Sequence, residues 1–182
     1  IREIKEILSG WNKEIVSLKE AGIDIDVEEN GTTFEENAML KAKAGLKNTG
    51  LITVADDTGL CVDALDGAPG LYSARFAGEP ANDDNNISKL LSLLEGVPNE
   101  KRTAKFVSAI ACVFPDGRSF TVRGECLGRI ALIRLGTNGF GYDPVFISEI
   151  GCFANLTANQ KDSVSHRGKA LRLFKTELKK YI

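Results

Sequence analysis

The sequence predicts an α/β protein built on a mixed β-sheet with flanking helices. Three observations carry that reading. Runs with helical spacing of apolar residues alternate with short β-rich runs. A Pro115-Asp116-Gly117 turn joins two of the β-rich runs into a hairpin, so the sheet is not purely parallel. The 182 residues are 43% apolar and 26% charged, which suits one sizeable globular domain.

Taken in order, Ile4, Ile7, Leu8 and Trp11 recur at helical spacing, with Gly10 near the end of the run. Residues 14–18 are expected to form a short strand. Ile23, Ile25 and Val27 alternate with Asp24, Asp26 and Glu28, the pattern of a half-buried strand. Thr33 and Glu36 have the spacing of a capping box, opening a helix over 37–48 that Gly50 stops. Residues 51–55 read as a short buried strand that ends in Asp56-Asp57, and residues 59–65 as another. Ile87, Leu90, Leu91 and Leu94 share one face of a helix over 82–95. Strands are expected over 103–114, 118–123, 128–135 and 142–147. Thr157 and Gln160 make a second capping box. Ser165 caps a final helix whose inner face carries Ala170, Leu173, Phe174 and Leu178.

Composition excludes several classes. A net charge of −2 gives no whole-molecule field for nucleic acid or an anionic membrane. No apolar run approaches a membrane span of roughly 18 residues, and the first residues lack the apolar core of a signal peptide. The four cysteines, Cys61, Cys112, Cys126 and Cys152, form no CxxC pair, and His166 is the only histidine. A cysteine–histidine zinc site and a disulfide framework are both disfavoured. The expectation is a cytoplasmic protein with reduced thiols. Ile1 is not an initiator methionine, so the natural start is expected upstream.

Five stretches could carry chemistry. Ala55-Asp56-Asp57-Thr58-Gly59 puts two carboxylates and a hydroxyl together, a donor set for a hard cation such as Mg²⁺. One aspartate could hold the metal while the other takes a proton from water. Taken alone, such a run is more often a solvated turn. Glu28 and Glu29 could add a metal ligand, or form an exposed charged loop. Lys41 could reach a phosphate from the helix that follows. Gly139-Phe140-Gly141-Tyr142-Asp143 would let backbone approach a flat ligand with Phe140 stacking on it, or would be a tight turn with Phe140 in the core. Lys161 and Ser165-His166-Arg167 at a helix start suit an anionic or carbonyl-bearing ligand. Gly67-Ala68-Pro69-Gly70 with Ser73 and Arg75 is weaker, and pairing of Ser73 or Arg75 with acidic neighbours accounts for it.

Taken together, the stretches Thr33-Phe34-Glu35-Glu36-Asn37-Ala38, Lys41-Ala42, Ala55-Asp56-Asp57-Thr58-Gly59-Leu60, Gly67-Ala68-Pro69-Gly70, Tyr72-Ser73-Ala74-Arg75, Gly139-Phe140-Gly141-Tyr142-Asp143-Pro144-Val145-Phe146 and Ser165-His166-Arg167-Gly168-Lys169-Ala170-Leu171 resemble the Ham1/inosine triphosphatase family. Their order and spacing agree with it over nearly the whole chain. The resemblance implies an elongated mixed α/β fold with two lobes around a nucleotide cleft. It implies cleavage of ITP, dITP and XTP to the monophosphate and pyrophosphate, with Mg²⁺, in a homodimer. Carried over by motif, Asp57 is the general base and a metal ligand, Asp56 supports it, and Glu28 or Glu29 adds a ligand. Thr58 stands where the family has serine. Lys41 and Lys161 would hold phosphate oxygens. Phe140, Gly141, Tyr142 and Asp143 would bind the base, and His166 and Arg167 would read its 6-oxo side. The family's first strand and phosphate-binding loop have no counterpart here; only Arg2 to Leu8 resembles the helix that follows them. A single two-lobed domain over 1–182 is therefore expected to lack that segment. A catalytically impaired nucleotide-binding module and a Maf-like pyrophosphatase with another base preference are the alternatives.

Overall fold

The structure is a computed structural model and describes Ile4, Lys5 and residues 14–182. Ile4 and Lys5 are helical; Ile7, Leu8, Gly10 and Trp11 of the expected first helix lie outside the described residues. Four α-helices follow among the described residues: α1 (Phe34–Thr49), α2 (Asp83–Leu93), α3 (Ala158–Val164) and α4 (His166–Leu178). Five strands form one sheet in chain order: β1 (Thr53–Val62), β2 (Thr103–Val113), β3 (Ser119–Ile130), β4 (Phe146–Ser148) and β5 (Gly151–Cys152). The β3–β4 and β4–β5 pairings are antiparallel.

The chain divides into two compact units. The first comprises residues 1–57, 109–124 and 170–182. Its core gathers Ile110, Cys112, Phe114, Phe120, Ala170, Leu171, Phe174 and Leu178. The second comprises residues 58–108 and 125–169, with a core that includes Leu60, Val62, Ile87, Leu90, Phe106, Ile130, Val145, Phe146 and Phe153. Phe106, Phe146 and Phe153 pack as a triad with ring centroids 4.6, 4.9 and 5.9 Å apart, the separations at which aromatic pairs attract beyond simple burial.

The helix boundaries follow their caps. The Thr33 hydroxyl accepts the Glu36 N–H and opens α1, and Gly50 closes it in the left-handed region at φ 68°. The Glu36 carboxylate makes its close hydrogen bonds one residue earlier, to the N–H and hydroxyl of Thr32. The capping box of Thr157 and Gln160 is complete. Asn82 caps α2 by accepting from Asn85, and the Ser165 hydroxyl accepts from Gly168 at the start of α4.

Several expected strands are redrawn. Residues 14–18 form no strand. Residues 23–28 keep the expected alternation, half-buried at Ile23, Ile25 and Val27 and exposed between, but join no ladder. The two strands expected on either side of Asp56-Asp57 are one strand, β1. Leu51 and Ile52 stand outside it and exposed. The aspartates therefore sit in mid-strand, because flanking α1 supplies a polar environment there. The run 128–135 stops being a strand at Ile130, where β3 ends. Much of 142–147 is a 3₁₀ turn before β4. Leu173 is exposed and Leu171 takes the inward position on α4.

One buried cation orders the second unit. Arg102 is 3% exposed, and its guanidinium donates to the carbonyls of Leu94, Val97, Ile130 and Ala131. Five fixed donors let arginine close several loop ends at once. Arg102→Met would leave those carbonyls without a donor. The expected cost is about 3 kcal/mol, read as a fall of about 10 °C in the thermal midpoint. A fall under about 2 °C would mean that the carbonyls find other partners.

Candidate active site

In the first unit, helix α1 sets one stripe against β1. Asn37, Lys41 and Gly45 lie four residues apart and so share a helix face. At Gly45 a side chain would come within 2.6 Å of the Thr53 methyl, so only glycine allows this approach. Eight residues earlier, the Asn37 amide donates to Asp57 at 3.4 Å. Eight helical residues span about 12 Å and four strand residues about 13 Å. Helix and strand thus stay in register from Gly45–Thr53 to Asn37–Asp57.

Lys41 lies between these contacts. Its ammonium donates to Asp57 Oδ1 at 2.8 Å and lies 3.4 Å from Glu29 Oε1. Asp57 is buried. Burial lifts its carboxyl above the ordinary value, and the hydrogen bond and charge of Lys41 oppose that lift. The Glu29 charge adds to the lift, and the Asn37 amide opposes it. The result is a desolvated carboxylate held by one ammonium, an arrangement that raises basicity while keeping the charged form in place.

Glu28 and Glu29 differ in their place in the strand-like period of residues 23–29. Glu29 falls in phase with Ile23, Ile25 and Val27, half-buried, whereas Glu28 is exposed. Glu29 is the one that meets Lys41. The same two-residue period directs Asp56 and Thr58 away from the Asp57 contact. The Thr58 hydroxyl is buried with no hydrogen-bond partner among the described residues.

The residues fit a magnesium ion in one respect. Mg²⁺ is usually held by one or two carboxylates together with substrate phosphates. Asp57 and Glu29 already converge on one cation, the Lys41 ammonium. Among the described residues no three histidine, cysteine, aspartate or glutamate side chains gather into a metal-binding group, so the protein offers a partial shell rather than a closed cage.

In the second unit, the loop 136–143 presents Phe140 with its ring 66% exposed; it is not packed in the core. Lys161 Nζ sits 4.9 Å from the centre of that ring and 5.3 Å from that of Phe153, within cation–π range. The same ammonium donates to Asp143 Oδ2 at 2.5 Å. Asp143 is buried, and its Oδ2 also accepts the Phe140 N–H at 3.0 Å. A side chain at Gly139, where φ is 83°, would collide with that carboxylate. Tyr142 is buried too, and its hydroxyl donates to the Ser73 carbonyl at 2.8 Å. Tyr142 and Asp143 therefore hold the loop's shape, while Phe140 and the Gly141 backbone form its open face. Lys161, expected on phosphate oxygens, has its ammonium on Asp143.

His166 lies flat on Phe106, ring centroids 4.6 Å apart at 16°. It is buried, and its Nδ1 has no partner among the described residues. Burial, helped by the charges of Arg167 and Lys161, lowers its pKa to about 3. The imidazole is neutral at physiological pH. Among the described residues Ser73 and Arg75 do not pair with acids as expected. The Ser73 hydroxyl accepts the Leu60 N–H and donates to the Gly70 carbonyl, and the Arg75 guanidinium lies 5.3 Å from the Tyr72 ring centre. Sequence reasoning gave Asn37 and Phe106 no role. Asn37 was in view in the Thr33–Ala38 stretch, and its four-residue offset from Lys41 was the signal. Nothing in the sequence marks Phe106.

Comparison with known proteins now bears on both clusters. Residues 1–177 match the Ham1 family. The chain is 51% identical to the dITP/XTP pyrophosphatase of Desulforamulus reducens, over 94% of this chain and 87% of that one. It is 51% identical to the dITP/XTP pyrophosphatase of Geobacter sulfurreducens, over 98% and 90%. Among solved structures, the Staphylococcus aureus Ham1 protein superposes with a TM-score of 0.92 at 41% identity, over 100% of this chain and 94% of that one. The dITP/XTP pyrophosphatase of Mycobacterium abscessus does so with 0.81 at 47%, over 95% and 91%. The likeness runs through both clusters and nearly the whole length: the chain belongs to the Ham1 family.

Proposed function

We propose that the protein hydrolyses non-standard purine nucleoside triphosphates, dITP, XTP and ITP, to the nucleoside monophosphate and pyrophosphate. The observation that carries this reading is the buried Asp57 carboxylate paired with Lys41 and Glu29, in a chain half identical to named dITP/XTP pyrophosphatases over nearly its full length. Such a reaction removes deaminated purines from the nucleotide pool. It operates where that pool is, which suits a cytoplasmic protein whose four cysteines are in no disulfide.

Asp57 acts as the general base. Its carboxylate takes a proton from water, the water oxygen bonds to phosphorus, and the phosphoanhydride bond breaks with its electron pair leaving on pyrophosphate. Asp57 and Glu29 would hold Mg²⁺, with Glu28 too exposed to share the same point. The ion, when bound, would neutralise charge that gathers on the phosphoryl oxygens. Lys41 keeps Asp57 ionised and offers its remaining protons to phosphate. Asp56 and Thr58 lie beside the base in the chain and take supporting roles. In the second unit Phe140 stacks on the purine, and the Gly141 backbone borders it. His166, being neutral, can donate a hydrogen bond without adding a charge, and Arg167 stands next to it in the chain. A donor aimed at a 6-oxo group meets another donor in the 6-amino group of ATP, which leaves polar groups unpaired and disfavours ATP. Leu127, Leu132 and Ile133 are all exposed within seven residues of chain, apolar surface of the kind a second copy would cover in a homodimer.

With Mg²⁺ present, pyrophosphate release is expected from dITP, XTP and ITP at rates about a hundredfold or more above ATP; equal turnover of ATP would overturn the specificity. Asp57→Asn should lower kcat by about a thousandfold while the circular dichroism spectrum stays that of the parent protein. Near-normal kcat in that variant would remove Asp57 as the base. His166 is the sole histidine, so its imidazole resonances can be followed without ambiguity. With a pKa near 3, they should not shift between pH 5 and pH 8, and a titration centred near 6.5 would show the ring to be solvated.

A further inference from the structure

The loop that presents Phe140 is built on glycine and gains little from packing of its ring. Phe140 lies between Gly139 and Gly141, with φ at 83° and 58°. Glycine in the left-handed region costs no steric strain but leaves the chain with the most freedom to lose. The Phe140 ring is itself exposed, so packing does not fix it. Something else must hold the peptide on each side of the ring.

Two carboxylates do so. The Phe140 N–H is held by Asp143, within the loop. The next N–H, that of Gly141, donates to Asp83 Oδ2 at 2.7 Å. Asp83 comes from the first turn of α2, 58 residues away in the chain. The loop's earlier end is tied to the same turn: the Arg134 guanidinium binds the Asp84 carboxylate, the Asp84 carbonyl at 2.9 Å and the Ser88 hydroxyl at 3.2 Å. Helix α2 has no need of Asp83 as a cap, because Asn82 already accepts the Asn85 N–H. The carboxylate is exposed and is free of any core role.

We propose that Asp83 is a positioning residue for purine recognition: by holding the Gly141 N–H it fixes the Phe140 peptide, and hence the ring, in the pose that stacks on the base. The proposal rests on the reading that this loop receives the base. It assigns to Asp83 no contact with the nucleotide. The gain is one of pre-organisation, since a ring already in place need not be ordered when the ligand arrives.

The test compares three variants with dITP and Mg²⁺. Asp83→Ala should raise KM about three- to tenfold, leave kcat within about twofold and leave the thermal midpoint within about 2 °C. Asp83→Asn keeps an oxygen that accepts the same N–H and should return KM to the parent value, although the charge is gone. Phe140→Ala should raise KM as well. If Phe140→Ala raises KM and Asp83→Ala does not, the positioning role is wrong and the base-binding reading stands. If Asp83→Ala lowers kcat and thermal stability along with its effect on KM, Asp83 is merely structural and the proposal is overturned. If Asp83→Asn fails to restore KM, the charge rather than the hydrogen bond matters, and the proposal again fails. An unchanged KM in Phe140→Ala would instead remove the base-binding reading itself.

Discussion

The Lys41 ammonium is the constraint on which the first unit depends. It is shared by Asp57 at 2.8 Å and Glu29 at 3.4 Å. A carboxylate buried in mid-strand is costly unless a cation or donors stand against it. Lys41 meets that requirement only because α1 runs along β1 in register, and that register needs glycine at Gly45 and the cap at Thr33. A single helix face therefore does three things. It closes onto the strand, supplies the counter-charge and adds the Asn37 amide. None of these residues alone marks a site; their four-residue period does.

How far a sequence discloses such an arrangement depends on the range of the forces involved. Local forces were legible. The caps at Thr33, Thr157 and Ser165, the stop at Gly50 and the hairpin turn at 115–117 all lie within a few residues of the groups they act on. The alternation of Ile23, Ile25 and Val27 correctly gave inward and outward sides, and it also separates half-buried Glu29 from exposed Glu28. It failed as evidence of a strand, because a period of two reports burial on one side and not a ladder partner. Asp56-Asp57 was misread as a strand end for a related reason. Paired carboxylates look like an exit to solvent unless one knows that a lysine and an asparagine wait on the neighbouring helix. Phe106 was invisible, since a phenylalanine in an apolar strand has no mark that a histidine 60 residues later will lie on it.

The second unit solves a different problem. Phe140 is exposed on a glycine loop and has little packing to hold it. The loop answers with hydrogen bonds in place of contacts. Asp143 and Asp83 grip consecutive peptides, Tyr142 is tied through its hydroxyl to Ser73, and the Cys152 thiol lies 3.3 Å from the carbonyls of Leu135 and Asp143. The Lys161 ammonium, tethered to Asp143, stands 4.9 Å from the ring centre. The ring stays exposed while the peptides on either side of it are hydrogen-bonded, the condition that favours specificity over adaptability.

Two aspartate–lysine pairs in one chain make the final point. Asp143 with Lys161 and Asp57 with Lys41 are the same chemical pair, and both aspartates are buried. Each has two donors; what separates them is how those donors are shared between the two oxygens. One oxygen of Asp143 accepts both an ammonium and a backbone N–H at 3.0 Å or less. Its lone pairs are committed to holding the loop. Asp57 has the ammonium on one oxygen and only a long 3.4 Å amide contact on the other. A base must have an oxygen to offer to water, and at Asp57 the Asn37 amide holds one oxygen only at 3.4 Å. The loose side of Lys41 faces Glu29, so an arriving anion competes there with a 3.4 Å ion pair rather than with the tight bond to Asp57. The same pair of side chains thus braces a loop in one unit, while in the other it leaves a buried carboxylate with a loosely held oxygen.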